Sequence, residues 1–332
     1  MQFGQLKRRE FIALLGGAAA AWPRVAGAQQ SERMWRIGVL TTIFSETDTQ
    51  ANAWLGAFQD ELRKLGWDQG RNIRFENRLL GNDAQRLPTS AAQLAAMKPD
   101  VILVAGSPAL VALARETRAV PIVFVQVLDP VQLGLVTNLA RPGGNITGFS
   151  NFEHQIGGKW LDLLKDTAPH TSRVAIVFDP DNPAQPAYLQ GIAAAAPSLG
   201  MQVIRTPVRD AAEVKQAIIA FAQQPNGALI VVPNSIVLRQ HKLIIDLAAQ
   251  KRLPAVYPYR LFTESGGLIS YGADVPDLWR KGASYVDRIL RGTKPGDLPV
   301  QLASKFELVV NLKPRKRLGS PSRSRSSNRP TR

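Results

Sequence analysis

The chain has 332 residues, no cysteine and a formal net charge of +15 at pH 7. The lack of cysteine excludes a disulfide framework and a lipid-modified N-terminal cysteine. The length is sufficient for an export leader followed by two lobes, each with its own buried core. A hydrophobic content of 45% argues against disorder for most of the chain.

The positive charge is concentrated at the two ends of the chain. Four basic residues lie in the first thirty positions, and eight follow Glu307, after which no acid occurs. The region between them carries only a small positive excess, so we do not expect a nucleic-acid-binding function. Residues 320–332 are rich in Ser, Arg and Pro and are predicted to form a disordered basic tail.

Residues 1–28 have the pattern of a cleavable export signal, with a charged start at Lys7, an apolar run over 11–21 and small residues at 26–28. The apolar run is too short to cross a bilayer, which requires about 20 residues. The segment 8–12 resembles a twin-arginine export signature, and the general secretory route remains the alternative. Because both routes end outside the cytoplasm, we expect a soluble protein in the periplasm.

From residue 35 onward, short β-branched runs alternate with helical patterns, which is typical of parallel βαβ units. The predicted strands of a first unit are 35–42, 72–79, 101–105 and 120–127. The stretch from 129 to 151 is rich in turn residues and is interpreted as the approach to a second lobe. The alternation then restarts, with predicted strands at 173–178, 202–206, 228–232 and 255–259.

A further strand (267–271), a long helix (276–290) and a last strand (306–312) follow the second unit. A chain that returns from the second lobe to the first and then crosses back needs additional elements of this kind after its second unit. The predicted fold class is therefore α/β, with two Rossmann-like doubly wound lobes. Several crossings between the lobes would form a hinge, whereas one would form only a flexible linker.

Six short segments, by their order and spacing, carry a resemblance to a known family. They are Asp129-Pro130-Val131, Gly134-Leu135-Val136, Leu139 to Gly148, Gly267 to Gly272, Leu298-Pro299-Val300 and Lys305 to Lys313. Together they resemble the ABC transporter substrate-binding proteins related to tryptophan- and tyrosine-binding components, over nearly all of 36–319. The sequence departs from the family after Gly319, where a shifted reading frame and a genuine extension both remain open.

The resemblance implies the type I periplasmic-binding-protein fold, with three crossings between the lobes. On that basis we expect lobe 1 to comprise 34–150 and 272–297, and lobe 2 to comprise 151–271 and 298–319. The implied function is that of a monomeric extracytoplasmic receptor. It would capture a small solute, an amino acid or related carboxylate for which an aromatic side chain is one of the options, and deliver it to an ABC permease in the inner membrane.

Open α/β sheets bind ligands beyond the carboxyl ends of their strands, so facing lobes would share one cleft. The residues predicted to contact a ligand there are Thr42, Phe44, Gly106, Ser107, Asp129, Asn234, Tyr257, Tyr271 and Asp274. Other expected wall residues are Thr41, Gln126, Asp179, Asn182, Ser235 and Tyr259.

Several of these residues have a functional and a structural interpretation. Ser107 could bind a ligand carboxylate with its hydroxyl and the helix-start amides, or could cap a helix. Asp129 or Asp274 could receive an ammonium group, or could open a turn and cap a helix respectively. The aromatic candidates, which include Phe152, could stack on a ligand or belong to the core.

We expect no enzyme activity, cofactor or metal site. The three histidines have no metal-ligand spacing, Ser107 lacks the glycines of a hydrolase nucleophile turn, and Gly143, Gly144 and Gly148 do not form a phosphate loop. Two alternative functions remain: an exported hydrolase that uses a carboxylate base in the same cleft, and a sensory ligand-binding module.

Overall fold

The structure, a computed structural model, describes residues 33–81, 83–151 and 156–312, without the side chains of 49–52. The predicted leader over 1–28, the predicted tail over 320–332 and Phe152 lie outside the described residues. Within the described residues, the strands form two six-stranded sheets. The predicted fold class of two doubly wound α/β lobes is confirmed.

The first sheet has the strand order β11-β5-β4-β3-β1-β2, and all its pairings are parallel. Its strands are β1 (Trp35–Thr41), β2 (Ile73–Leu79), β3 (Val101–Ala105), β4 (Ile122–Val127), β5 (Ile146–Ser150) and β11 (Gln301–Leu302). Every residue of β3 and β4 is buried, which is the pattern expected when helices cover both faces of a parallel sheet.

The second sheet has the order β12-β10-β9-β8-β6-β7. Its strands are β6 (Arg173–Phe178), β7 (Gln202–Pro207), β8 (Gly227–Val231), β9 (Ala255–Tyr257), β10 (Ile269–Ala273) and β12 (Phe306–Val310). The pairing of β10 with β12 is antiparallel and the others are parallel. The parallel strands of each sheet therefore present their carboxyl ends at one edge.

Helices connect the strands. They are α1 (Thr49–Lys64), α2 (Leu87–Ala96), α3 (Ser107–Glu116), α4 (Ile156–Thr167), α5 (Gln185–Ala195), α6 (Ala211–Phe221), α7 (Ser235–Arg239), α8 (His241–Gln250), α9 (Arg260–Glu264) and α10 (Val275–Leu290). Short 3₁₀ turns occupy Ala196–Leu199 and Pro295–Asp297. In the described part of the chain, no helix combines the length and the apolar character that a membrane span requires.

The chain changes sheet three times within the described residues. It passes from β5 to β6, from β10 to β11 by way of α10, and from β11 to β12. Although α10 follows a strand of the second sheet, it packs on α1 and on three strands of the first sheet. Three connections of this kind restrict the relative motion of the lobes to a hinge.

Two sequence-based expectations need correction. The turn-rich stretch before residue 151 contains β5, a buried strand that the glycine-rich pattern concealed. Residues 298–302 were expected in lobe 2, but Gln301 and Leu302 pair with Phe149 and Ser150 of the first sheet. Conversely, β10 extends through Ala273 in the second sheet, whereas 272 and 273 were expected in lobe 1. Very short strands carry too few residues to reveal which sheet they join.

Gly148 allows β5 to lie against β4. Its φ is 152°, and a Cβ atom built there would lie 2.1 Å from the carbonyl oxygen of Phe124. Replacement by alanine therefore requires the two strands to separate.

We predict that Gly148→Ala lowers the free energy of unfolding by about 3 kcal/mol or more, because both backbone strain and overpacking oppose it. Gly56→Ala is the matched control, since no atom lies within 4 Å of its added Cβ and it occupies the interior of α1. This control should be stabilising by about 0.5–1 kcal/mol. Denaturant unfolding measures both, and an unchanged midpoint for Gly148→Ala would contradict the close strand contact.

Candidate functional site

A cavity of about 170 Å³ lies between the lobes and is lined from both sides. Its walls follow the carboxyl ends of strands from both sheets. Lobe 1 contributes Thr42, Ile43, Gly106, Ser107, Gln126 and Asn151, and lobe 2 contributes Asp179, Asp181, Asn182, Arg209, Asn234, Ser235 and Tyr259. Because one buried water needs about 10–15 Å³, the cavity is large enough for a small organic molecule. We refer to it as the cleft.

Four of the nine predicted contact residues line the cleft: Thr42, Gly106, Ser107 and Asn234. Gly106 has a φ of 95°, and a Cβ built there would lie 2.9 Å from Oγ1 of Thr42. This glycine therefore brings the backbone at the start of α3 close to the loop after β1. These four residues therefore lie at the cleft, as the strand-end rule predicts, and their contact with a ligand stays a prediction.

Ser107 is the first residue of α3, and Gly106 occupies the cap position that the sequence had suggested for the serine. The Ser107 Oγ accepts a hydrogen bond of 3.1 Å from the backbone N–H of Leu128. The hydroxyl hydrogen is not used in that bond and remains able to donate. This bond holds the Ser107 side chain against the residue that directly follows β4.

Asn234 acts as the cap of α7. Its Oδ1 accepts from the N–H of Val237 at 2.9 Å, and its Nδ2 donates to the carbonyl of Val232 at 3.0 Å. Both ends of the amide are engaged with the backbone, so this residue mainly shapes the wall of the cleft.

Phe44 and Tyr257 were expected in the cleft but belong to the core. Phe44 packs between Trp54 and Trp279, with ring centroids 6.1 and 5.6 Å away. Tyr257 stacks on Phe262 at 4.8 Å and is buried. The sequence does not show whether an aromatic side chain at the end of a strand points into the cleft or into the core. Here both rings pack against other aromatic rings in the core, where more of their apolar surface is buried.

Tyr271 is also outside the cleft. Its ring stacks on Phe306 of β12, with centroids 5.8 Å apart, and its backbone carbonyl accepts from the indole N–H of Trp160 at 2.8 Å. The antiparallel pairing of β10 with β12, in which Tyr271 opposes Leu308, places the tyrosine within that edge of the sheet. The expectation of a ligand contact there is corrected.

The two aspartates expected to bind an ammonium group have structural roles instead. Asp129 Oδ1 accepts from the N–H of Gln132 at 3.0 Å, which closes a turn. Asp274 caps α10 and pairs with Lys305 at 2.7 Å. Burial alone would raise the pKa of Asp274, but the hydrogen bonds that it accepts and the charge of Lys305 lower it. Neither aspartate lines the cleft.

Asp179 is the more buried of the two carboxylates, Asp179 and Asp181, that the structure brings to the cleft. It follows β6 and accepts a 3.0 Å hydrogen bond from the N–H of Asp181. Burial raises the pKa of Asp179 above its usual value, and the positive charges of Arg209 and Arg239 only partly oppose this effect. In the described part of the chain, Arg209 forms ion pairs with Asp181, at 3.0 Å, and with Glu213, at 3.8 Å, rather than with Asp179.

The sequence analysis missed three polar residues of the cleft: Asn151, Asp181 and Arg209. The last two follow strands β6 and β7, so the strand-end rule could have found them. Asn151 follows β5, which was not predicted as a strand, and no sequence signal pointed to it.

His154 lies outside the described residues, and among those described no cluster of His, Cys, Asp or Glu is suited to hold a metal ion.

The lobes touch each other beside the cleft. Trp54 of α1 and Tyr259 of the loop after β9 have ring centroids 5.9 Å apart. In addition, a Cβ built on Gly81 of lobe 1 would lie 3.7 Å from a guanidinium nitrogen of Arg239, which belongs to lobe 2. The two lobes therefore approach each other closely at both of these places.

Comparison with known proteins gives consistent relatives. A tyrosine-binding protein of Clostridioides difficile (strain R20291) is 24% identical over 282 residues, which are 85% of this chain and 80% of that protein. A conserved domain protein from Vibrio cholerae is 26% identical with a TM-score of 0.80, over 86% of this chain and 95% of that one.

An ABC domain from Streptococcus pneumoniae, solved in complex with L-Trp, has the same fold, with a TM-score of 0.78 and 24% identity over 86% of this chain and 95% of that one. Residues 37–328 match the sequence profile of the family described as ABC transporter substrate binding protein. With the two-lobed fold and the shared cleft, this match identifies the chain as a member of the ABC transporter substrate-binding protein family.

Proposed function

We propose that this chain is an extracytoplasmic receptor that captures an amino acid in the cleft and delivers it to an ABC permease. The observation that carries the proposal is that the cleft has hydrogen-bond donors on the wall from one lobe and a carboxylate on the wall from the other. Ser107 and the start of α3 offer hydrogen-bond donors from lobe 1, and Asp179 offers a desolvated carboxylate from lobe 2. An α-amino acid has the complementary pair of charges.

The carboxylate end of the ligand is assigned to Ser107. The first N–H groups of a helix have no partners within the helix, and the helix dipole favours a negative charge there. The ten residues of α3 begin at the cleft, beside the fixed Ser107 hydroxyl. These donors suit a carboxylate and are consistent with the carboxylate-binding role expected from the sequence.

The ammonium end is assigned to Asp179, in place of Asp129 and Asp274. A buried carboxylate is stabilised by a cation that arrives without its own counterion. The remaining cleft surface includes Ile43 and Tyr259, which suit an apolar or aromatic side chain. The relatives described as binding tyrosine and L-Trp support an aromatic amino acid.

The location and partners follow from the same proposal. A family member that supplies a permease works outside the cytoplasm, and the export pattern of residues 1–28 supports a location in the periplasm. We propose that the protein works there as a soluble monomer. Capture requires no bond to be made or broken, only a closed state that the ligand favours over the open one.

An exported hydrolase is the alternative that one observation favours. A carboxylate with a raised pKa in a cleft is also a feature of general bases. Recovery of an unchanged amino acid after prolonged incubation with the protein supports the receptor, whereas appearance of a product that Asp179→Asn abolishes supports the enzyme.

We predict that Asp179→Asn weakens binding of the tightest-bound of the twenty protein amino acids by about tenfold or more, because the ammonium loses its charge partner. The same change should raise the midpoint of thermal unfolding of the unliganded protein at neutral pH, since a desolvated charge is removed. Calorimetric titration and thermal unfolding measure the two effects.

Asp181→Asn is the matched control for this experiment. Its carboxylate is 70% exposed and already paired with Arg209, so we expect only a small change in affinity and stability. Equal losses of affinity in both variants would contradict the specific role of Asp179. Absence of binding by the wild-type protein to all twenty amino acids would contradict the proposed function itself.

Binding and stability should depend on pH in opposite ways. Because its pKa is raised in the folded state, Asp179 contributes stability at low pH that is lost as the pH rises through that pKa. Binding of an ammonium needs the ionised carboxylate, so affinity should fall as the pH is lowered through the same pKa. Titrations between pH 7 and about pH 4 check this. Asp179→Asn should show a flatter profile, and an equally steep one would rule out Asp179 as the titrating group.

A further inference from the structure

We propose that Gln126 is a further ligand-binding residue of the cleft, which donates a hydrogen bond from its amide nitrogen to the ligand carboxylate, and that Trp279 is the residue that positions it. This inference rests on the proposed function, because it concerns the same cleft. It assigns a role to a side chain that the capture of an amino acid does not by itself require.

The backbone at Gln126 is built to turn this side chain toward the cleft. Gln126 lies near the end of β4, where the register with β5 shifts between Val125 and Val127. Its φ is 53°, an unfavourable value for a residue other than glycine. Irregularities of this kind re-aim a side chain and accumulate at functional sites. The side chain lines the cleft and the residue is only 5% exposed.

Trp279 fixes the orientation of the amide. Its indole N–H donates to Oε1 of Gln126 at 2.8 Å. Since an indole nitrogen can only donate, the atom that it contacts must be the oxygen, and the nitrogen must occupy the other position. Trp279 is fully buried and is itself packed against Phe44 and Phe58, with ring centroids 5.6 and 6.4 Å away.

The amide nitrogen that results has no partner. Nε2 of Gln126 is buried and forms no hydrogen bond within the described part of the chain. Burial raises the pKa of Tyr259, and a hydrogen-bonding interaction of its hydroxyl with the Gln126 side chain partly opposes that effect. The contact nevertheless lies outside the geometry of a hydrogen bond from Nε2. A buried donor without an acceptor is unfavourable, and a ligand that supplies an acceptor removes this cost.

The acceptor is identified by the neighbours of Gln126. The N–H of Gly106 donates to the carbonyl of Val125 at 3.3 Å, and the N–H of Leu128 donates to Oγ of Ser107 at 3.1 Å. These two bonds hold Gln126 beside the start of α3, where the carboxylate of the ligand is assigned. Ser107 and Gln126 then donate to the same negatively charged group.

Trp279 also connects this contact to the hinge. It lies on α10, which begins directly after β10 of the second sheet and packs on the first. The indole therefore belongs to one of the three connections between the lobes. Without its N–H, the amide could rotate and present oxygen instead of nitrogen to the carboxylate.

The test begins with wild-type protein and each of the twenty protein amino acids, ranked by thermal stabilisation. The amino acid with the largest effect is then titrated calorimetrically against the variants. Gln126→Glu places a carboxylate where the donor was, and we expect a loss of affinity of tenfold or more. Gln126→Ala removes the donor, and we expect a loss of about fivefold to tenfold.

Trp279→Phe retains a ring against Phe44 and Phe58 but removes the N–H, and we expect a loss of about threefold to tenfold in the wild-type background. The same substitution should have no further effect when combined with Gln126→Ala, because Trp279 acts through that amide. Trp160→Phe is the matched control. Its buried indole donates a bond of the same length, 2.8 Å, to the carbonyl of Tyr271, and its loss should leave the affinity unchanged.

Undiminished affinity in Gln126→Ala would overturn the inference, and so would an equal effect of Trp279→Phe with and without Gln126. The affinity of Gln126→Ala can be measured even if the Trp279→Phe protein does not fold, so the first of these two outcomes can always be tested. If wild-type protein binds an amino acid and the Gln126 variants bind it equally well, only this inference fails. If wild-type protein binds none of the twenty, the proposed function fails with it.

Discussion

The common direction of the strands is the constraint on which the rest of this structure depends. In each sheet the parallel strands, which are all but the antiparallel β12, have their carboxyl ends at one edge, and three connections between the sheets turn those two edges toward one cavity. Helix α10 is central to this arrangement, because it starts from the second sheet and packs on the first. The absence of a side chain at Gly148 allows β5 to approach the backbone of β4, and its absence at Gly106 leaves room for the side chain of Thr42 in the cleft.

The chemistry of the cleft is unfavourable to the empty protein in at least two places. Asp179 is a partly desolvated carboxylate, and Gln126 has a positive φ and an amide nitrogen without a partner. Groups of this kind reduce the stability of the unliganded fold, and a ligand that neutralises them binds the closed state in preference to the open one. On the proposed function, the cost in stability and the affinity for a ligand therefore arise from the same side chains.

Much of the fold could be predicted from the sequence. Strong local patterns identified β3 and β6, since each is a short apolar run bounded by turn residues. Strand β5 was not predicted because Gly148 and the preceding Pro-Gly-Gly interrupt its pattern. Strand β11 was not predicted because it is only two residues long. At the site, the strand-end rule found Ser107 and Thr42. It could not distinguish Asp179 from Asp129 and Asp274, because the direction in which a loop side chain points depends on contacts such as that of Asp274 with Lys305.

The central claim is that the lobes close over an amino acid that bridges them. Small-angle X-ray scattering of the protein, with and without a saturating concentration of the tightest-bound of the twenty protein amino acids, tests it most directly. The account predicts a smaller radius of gyration with the amino acid present, and no such change for Asp179→Asn at the same concentration. Identical scattering curves for the free and the saturated wild-type protein would contradict it.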